Sequence, residues 1–171
     1  MFSDLKATSV LAAAVRIADT VKRTPLVRSD GLSAVAGVPV HLKLETRQTT
    51  GSFKLRGATN ALASLPAEAR AKGVVASSAG NHGLGVAYAA RALGMPAMIF
   101  VPSTAPEVKK RGIREMGAQL DDSQPDYDAA MARAIEWGAQ HGRTFINPCD
   151  GDTLLAGQGT VALEILQELP E

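Results

Sequence analysis

Lys54 is the residue whose placement most suggests chemistry. It stands in Thr50-Gly51-Ser52-Phe53-Lys54-Leu55-Arg56-Gly57, two residues after a serine of helix-capping type, so it falls in the first turn of a helix. Unpaired amides and the macrodipole make that end of a helix positive, and Arg56 adds to the effect. Both favour a neutral amine, which is the form that adds to a carbonyl carbon to make a Schiff base. Taken alone, the segment fits a solvated surface lysine at least as well.

A second segment, Ser77-Ser78-Ala79-Gly80-Asn81-His82-Gly83, joins an apolar strand to a helix. Small side chains and free backbone amides converge there, which suits an anion such as a carboxylate. Gly80, Gly83 and Gly85 run G-x-x-G-x-G, the reverse of the dinucleotide fingerprint, so a nicotinamide cofactor loses its main support.

The elements that must position these residues alternate. Leu11, Ala14, Ala18 and Val21 recur at helical spacing behind Thr8 and Ser9 as caps, and Pro25 ends the pattern. Val40 to Glu45 alternates apolar and polar residues as a half-buried strand does. A helix is expected over about 53–65, a strand at 73–77, a helix over 82–93 and a strand at 97–101. Thr104 and Glu107 have capping-box spacing before the next helix. A short strand near 118–120 leads to a second capping signal at Ser123-Gln124-Pro125-Asp126. The helix that follows presents Tyr127, Met131, Ala134, Ile135 and Gly138 on one face. A strand at Phe145-Ile146, a turn-rich stretch from Asn147 to Asp152 and a last helix over about 154–169 complete the pass. There is no internal repeat and no low-complexity linker.

Composition fits this α/β reading. The 171 residues are 46% hydrophobic and 20% charged, enough to bury a core, and aromatics are only 4%. Eighteen basic and seventeen acidic residues leave a charge of +1 with no basic run, which argues against nucleic acid. Arg91, Gly94 and Pro96 interrupt the most apolar stretch, Val86 to Val101, so no membrane span is expected. Met1-Phe2-Ser3-Asp4 lacks the features of a secretory signal and Cys149 has no cysteine to pair with, so a reducing cytoplasm is the expected location.

Together, Thr-Gly-Ser-Phe-Lys54 and Ser-Ala-Gly-Asn81-His82-Gly resemble the signatures of the fold-type II pyridoxal-phosphate enzymes, in their threonine and serine dehydratase (threonine ammonia-lyase) branch. Arg23-Thr24-Pro25-Leu26, Leu42-Lys43-Leu44-Glu45, the region from Val101-Pro102 to Lys109-Lys110, and Ala156-Gly157-Gln158-Gly159-Thr160 look like that family too, in order and at suitable spacing. The resemblance implies a tryptophan-synthase-β-like architecture of three-layer parallel sheets flanked by helices. It also implies pyridoxal 5'-phosphate held covalently by Lys54, with Phe53 packed near it and Asn81 touching its ring hydroxyl. Ser78, Ala79, Gly80, Asn81 and His82 would bind the carboxylate of a small amino-acid substrate. The implied reaction converts threonine or serine to a 2-oxo acid and ammonia, with the Lys54 amine removing the Cα proton.

Two elements of the resembled family, a glycine-rich loop for the cofactor phosphate and a small polar residue facing the pyridine nitrogen, would lie beyond residue 171. The expectation is therefore a chain truncated before the C-terminal half. Residues 51–148 would form a small α/β domain, and 1–50 with 149–171 would form an incomplete large domain. The resemblance allows a homo-oligomer in the complete protein. Position 79 bears on the alternatives. The serine racemase branch carries a proton-transferring serine there, and Ala79 has only a methyl group. The cysteine synthase branch usually has threonine where His82 stands. Open alternatives are another fold-type II enzyme (a racemase, threonine synthase or a dehydratase of a less common hydroxy amino acid) and a noncatalytic fragment.

The remaining chemically capable residues read as structural. Cys149 is expected to be a small buried residue, His41 and His141 to be surface histidines, and no metal site is expected. Asp121, Asp122, Asp126 and Asp128 are expected to serve a helix start.

Overall fold

The computed structural model describes residues 5–169. The Met1-Phe2-Ser3-Asp4 reading and the terminal Pro170-Glu171 lie outside the described residues.

Four parallel strands form the central sheet in the order β5-β4-β3-β6, with β3 at Val74–Ser77, β4 at Ala97–Pro102, β5 at Gln119–Gln124 and β6 at Thr144–Phe145. All of β3 is buried because helices cover both faces, as a parallel sheet requires. Alternate residues serve the two faces. Val75 and Phe100 pack with Ala130 and Ala134 of α7 (Tyr127–Gln140), whereas Val74, Ala76, Ile99 and Val101 join the core that includes Val86 and Ala90 of α5 (Asn81–Ala92).

Helix α3 (Lys54–Ala63) lies against α5 on one side and α8 (Asp152–Glu168) on the other, and α8 in turn packs on α1 (Ala7–Ile17). These crossings are close. A Cβ on Gly85 would come within 3.3 Å of the Leu55 backbone, and one on Gly157 would stand 2.6 Å from the Arg56 carbonyl oxygen. Outside this stack, β1 (Leu26–Arg28) and β2 (His41–Lys43) pair antiparallel around the short helix α2 (Asp30–Ala36). The two remaining α-helices among the described residues are α4 (Ala67–Lys72) and α6 (Glu107–Glu115), and a 3-10 turn spans Glu45–Arg47.

The structure corrects several local expectations. Helix α1 begins after Lys6 without a side-chain cap, so Thr8 and Ser9 lie inside its first turn. The capping box does not form at α6, where Pro106 is the N-cap and Glu107 instead pairs with Arg114. At α7 the cap is Asp126, whose carboxylate accepts from the Ala129 amide, while Ser123 belongs to β5. The buried face of α7 is Ala130, Ala134 and Gly138, with Tyr127 and Ile135 exposed.

Candidate functional site

The lysine is set by its helix. Lys54 opens α3, and the Ser52 hydroxyl accepts the Lys54 amide N–H at 3.3 Å, close to the capping role expected of it. Its amine is half-buried and donates to the Pro148 carbonyl at 2.8 Å, with the Phe53 ring centroid 5.6 Å away. Arg56 departs from expectation. It is 1% exposed and its guanidinium points into a network with Glu45 and Glu164, with further bonds to Thr160 and the Lys22 carbonyl. Its charge is therefore compensated by those carboxylates. Burial lowers the Arg56 pKa, and hydrogen bonds and charge from the two glutamates more than reverse this, so the net shift is upward.

That network absorbs two of the motifs singled out in the sequence. Lys43 pairs with Glu164 and Glu168 and donates to the Thr24 carbonyl, and the Thr24 hydroxyl donates to Glu45. Arg23 reaches Glu168 and Gln167. The basic and acidic residues around β1 and β2 thus fix α3 and α8 to one another. Sequence spacing alone does not mark Arg56 as the residue that completes the set, because its partners lie at positions 45 and 164.

The turn from β3 into α5 carries the other candidate residues. Gly80 is the N-cap of α5 and no side chain caps that end, so its first amides stay free for an anion. Asn81 is exposed at the first helical position, Ser78, Ala79 and Gly80 are half-buried, and the Ser78 hydroxyl accepts from the Gly80 amide. Gly83 has a steric reason, because a Cβ there would collide with the Ser78 carbonyl oxygen.

His82 is buried, and its Nε2 lies 3.1 Å from the Ile146 carbonyl oxygen. A carbonyl only accepts, so Nε2 carries the hydrogen, and the buried Nδ1, which has no partner, is a bare acceptor. Burial above all, with the Lys54 charge adding to it, pushes the imidazole pKa down to about 4 against the opposing pull of the Ile146 bond. The ring is neutral at physiological pH.

Because α3 rests on α5, the Lys54 charge is near enough to act on His82. A hollow of about 230 Å³ between α1 and α8, lined by Ile17, Val21, Arg56 and Leu163 among others, does not touch either of them. Cys149 is exposed, contrary to expectation, because its loop runs over the surface after β6. His141 stacks on Trp137 at the end of α7, and no cluster of metal-ligating residues occurs among the described residues. Of the acidic group, Asp126 caps α7 and Asp122 pairs with the buried Lys110.

Comparison with known proteins fits this arrangement. The family described as "Pyridoxal-phosphate dependent enzyme" matches residues 17–171. The chain belongs to that family. The pyridoxal-phosphate enzyme chain is 43% identical over 91% of its length to an L-threonine ammonia-lyase of Geobacter sulfurreducens, covering 39% of that protein. It is 45% identical over 98% of its length to L-threonine dehydratase biosynthetic IlvA of Mycobacterium tuberculosis, covering 40%. Among solved structures, maize serine racemase superposes with a TM-score of 0.94 at 35% identity, covering 99% of this chain and 51% of that one. The chain thus spans well under half the length of these curated relatives and about half of the solved one.

The fold of these relatives is the α/β fold-type II architecture, which this chain shares in its parallel sheet and flanking helices. The family's cofactor is pyridoxal phosphate, an aromatic aldehyde with an anionic group. The residues present suit it. An amine is fixed on a helix start, an aromatic ring stands beside it, and a neighbouring helix offers uncapped amides and an exposed amide side chain.

Proposed function

We propose that a complete chain carrying this sequence is a dehydratase (ammonia-lyase) that converts a β-hydroxy amino acid, threonine or serine, to a 2-oxo acid and ammonia. The observation that carries the reading is the Lys54 amine, held on the first turn of α3 beside the uncapped N-terminus of α5. The names of the 43–45% identical relatives support the substrate class.

In this reading Lys54 is the catalytic residue and the covalent anchor of the cofactor, with Phe53 and Asn81 also in contact with it. Bound pyridoxal phosphate supplies an aldehyde for the substrate amine and an electron-poor ring that takes up the charge left on Cα. The free Lys54 amine would accept the Cα proton and return it to the β-hydroxyl, which would leave as water. The enamine released would take a proton at Cβ and be hydrolysed, giving the 2-oxo acid and ammonia. Ser78, Ala79, Gly80, Asn81 and His82 receive the substrate carboxylate, with the α5 amides as donors. The neutral His82 adds no second positive charge beside the lysine.

The likeness to serine racemase supports a second reading, racemisation. Ala79 weighs against it, since a methyl group cannot deliver a proton to the face of Cα opposite Lys54. We place the small domain at 51–148 and an incomplete large domain at 1–50 with 149–171, and the location in the cytoplasm. No helix among the described residues is long and apolar enough to cross a membrane.

The test adds pyridoxal phosphate to the chain, reduces with borohydride and maps the labelled peptide. Label confined to Lys54 and lost in Lys54→Ala is the expected result, and label spread over other lysines overturns the assignment. Release of oxo acid from threonine and serine is then measured on a complete chain.

A further inference from the structure

The segment between β6 and α8 presents two backbone carbonyls, two residues apart, to the site. The Ile146 carbonyl accepts from His82 Nε2 at 3.1 Å, and the Pro148 carbonyl accepts from Lys54 Nζ at 2.8 Å. The segment is itself fixed at both ends. The Ile146 amide donates to the Val75 carbonyl at 2.8 Å, prolonging the pairing of β6 with β3. The exposed Asn147 side chain accepts from the Cys149 and Asp150 amides at 2.9 and 3.0 Å, closing the turn that holds Pro148 in place.

We propose that Ile146-Asn147-Pro148 is a positioning bracket, through which His82 sets where the Lys54 amine rests whenever that amine is not bonded to the cofactor. The inference rests on Lys54 being the cofactor lysine. Lysine has a long, flexible stem, so a free amine stays near its reaction point only if its acceptor is stationary. Pro148 has no N–H of its own to tie it down, and its carbonyl is held by its neighbours in the chain. Of these, Ile146 is the residue to which a buried side chain, His82, reaches across from α5. Because burial keeps His82 neutral, it has a single donor, and the bond to Ile146 uses it. The turn proposed to bind the substrate carboxylate and the lysine proposed to take its proton are thereby tied to one short segment. His82 acts in this as a positioning residue, and it does so through its side chain, whereas the proposed carboxylate contact needs only backbone amides.

The experiment is competitive reductive methylation of the full chain without cofactor, with the rate at Lys54 read by peptide mass against the exposed Lys109 as internal reference. In His82→Phe, which has no donor for Ile146, the Lys54 to Lys109 ratio should rise on the order of fivefold, the loss expected when one net hydrogen bond goes. His82→Gln, whose amide nitrogen can stand where Nε2 stood, should restore the ratio. Nitrogen NMR of the unaltered chain should place the imidazole proton on Nε2. An unchanged ratio in a folded His82→Phe, or a proton on Nδ1, overturns the proposal. If His82→Phe fails to fold, Asn147→Ala replaces it. Opening the turn must then raise the ratio, and an unchanged ratio again overturns the proposal. Methylation is read without pyridoxal phosphate, so failure of the bracket is separate from failure of the cofactor label to map to Lys54.

Discussion

Acidification should destabilise this chain through one histidine before its carboxylates begin to titrate. His82 has a pKa near 4 in the fold against 6.5 as the ordinary value. Between these values the unfolded chain binds a proton that the folded chain refuses, so stability rises with pH across the window. The neutral ring's contribution is complete above pH 6.5 and is lost as pH falls toward 4. The linkage relation gives a loss of about 2 kcal/mol between pH 8 and pH 5 from this residue alone. That is a large share of the stability of an ordinary domain. The assay is urea unfolding at several pH values for the unaltered chain and for His82→Gln, which keeps a donor for Ile146 and cannot titrate. For Glu164 and Glu168, burial raises the pKa but hydrogen bonds and charge from Arg56 and Lys43, or from Lys43 and Arg23, more than reverse this, so they lose their contributions only as pH falls below the ordinary carboxylate range, and they do so equally in both proteins. The difference between the two curves therefore isolates His82. Parallel curves between pH 8 and pH 5 would show that the imidazole is not held neutral by burial, and the reasoning would fail.

Arg56→Met should cost about 3–5 kcal/mol, since it leaves Glu45 and Glu164 facing each other without the cation that both bind, and urea unfolding reads this directly. Gly157→Ala should cost about 1–3 kcal/mol, because its Cβ would stand 2.6 Å from the Arg56 carbonyl oxygen at the crossing of two helices. Gly31→Ala in α2 is the control: nothing lies within 4 Å of the new Cβ, so thermal unfolding should be unchanged or shifted up by a gain of about 0.4–1 kcal/mol. Lys54→Ala should abolish the borohydride-stable cofactor label while leaving the unfolding transition cooperative.

The sequence was most informative where local pattern and tertiary need agree. The strand at 73–77, the helix after it and the strand at 97–101 appear within a residue or so of expectation, because buried apolar runs between glycine and proline punctuation admit little else. The strand β1 and helices α2 and α4 were not anticipated, since each is short, and β1 depends on pairing with β2. Proline overrode the expected capping box at α6, because Pro106 fixes the chain where Thr104 would have had to cap. At the site, the sequence singles out Lys54 and the 78–82 turn as candidates, whereas the hydrogen-bond partners of Lys54 and His82 left no pattern. Pro148 and Ile146 contribute only backbone carbonyls, and a backbone atom leaves no mark in a residue pattern. Arg56 was misread for a related reason. Its sequence neighbour is the lysine, but the glutamates that take its charge come from positions 45 and 164.

The two sides of α3 hold the lysine in different ways. Against α5 and α8 the helix is seated on glycines with no room for an added Cβ, so its backbone cannot shift without breaking close packing. Among the described residues, the Lys54 amine beyond that backbone has one hydrogen-bond acceptor, the Pro148 carbonyl. In the proposed role of Lys54 as the cofactor lysine, the arrangement separates what must stay from what must move, because the Cα of Lys54 is fixed by packing while its amine can leave Pro148 and return. Schiff-base chemistry needs such an amine, one that bonds to the cofactor in one state and carries a proton in the next. A second strong partner at Nζ, such as a carboxylate, would hold the lysine charged and slow both. A substitution that places one within reach, Pro148→Glu, should therefore reduce the rate of covalent cofactor attachment far more than it reduces stability, since position 148 is only half-buried. Equal losses in both would mean that the amine's freedom is not what the single acceptor preserves.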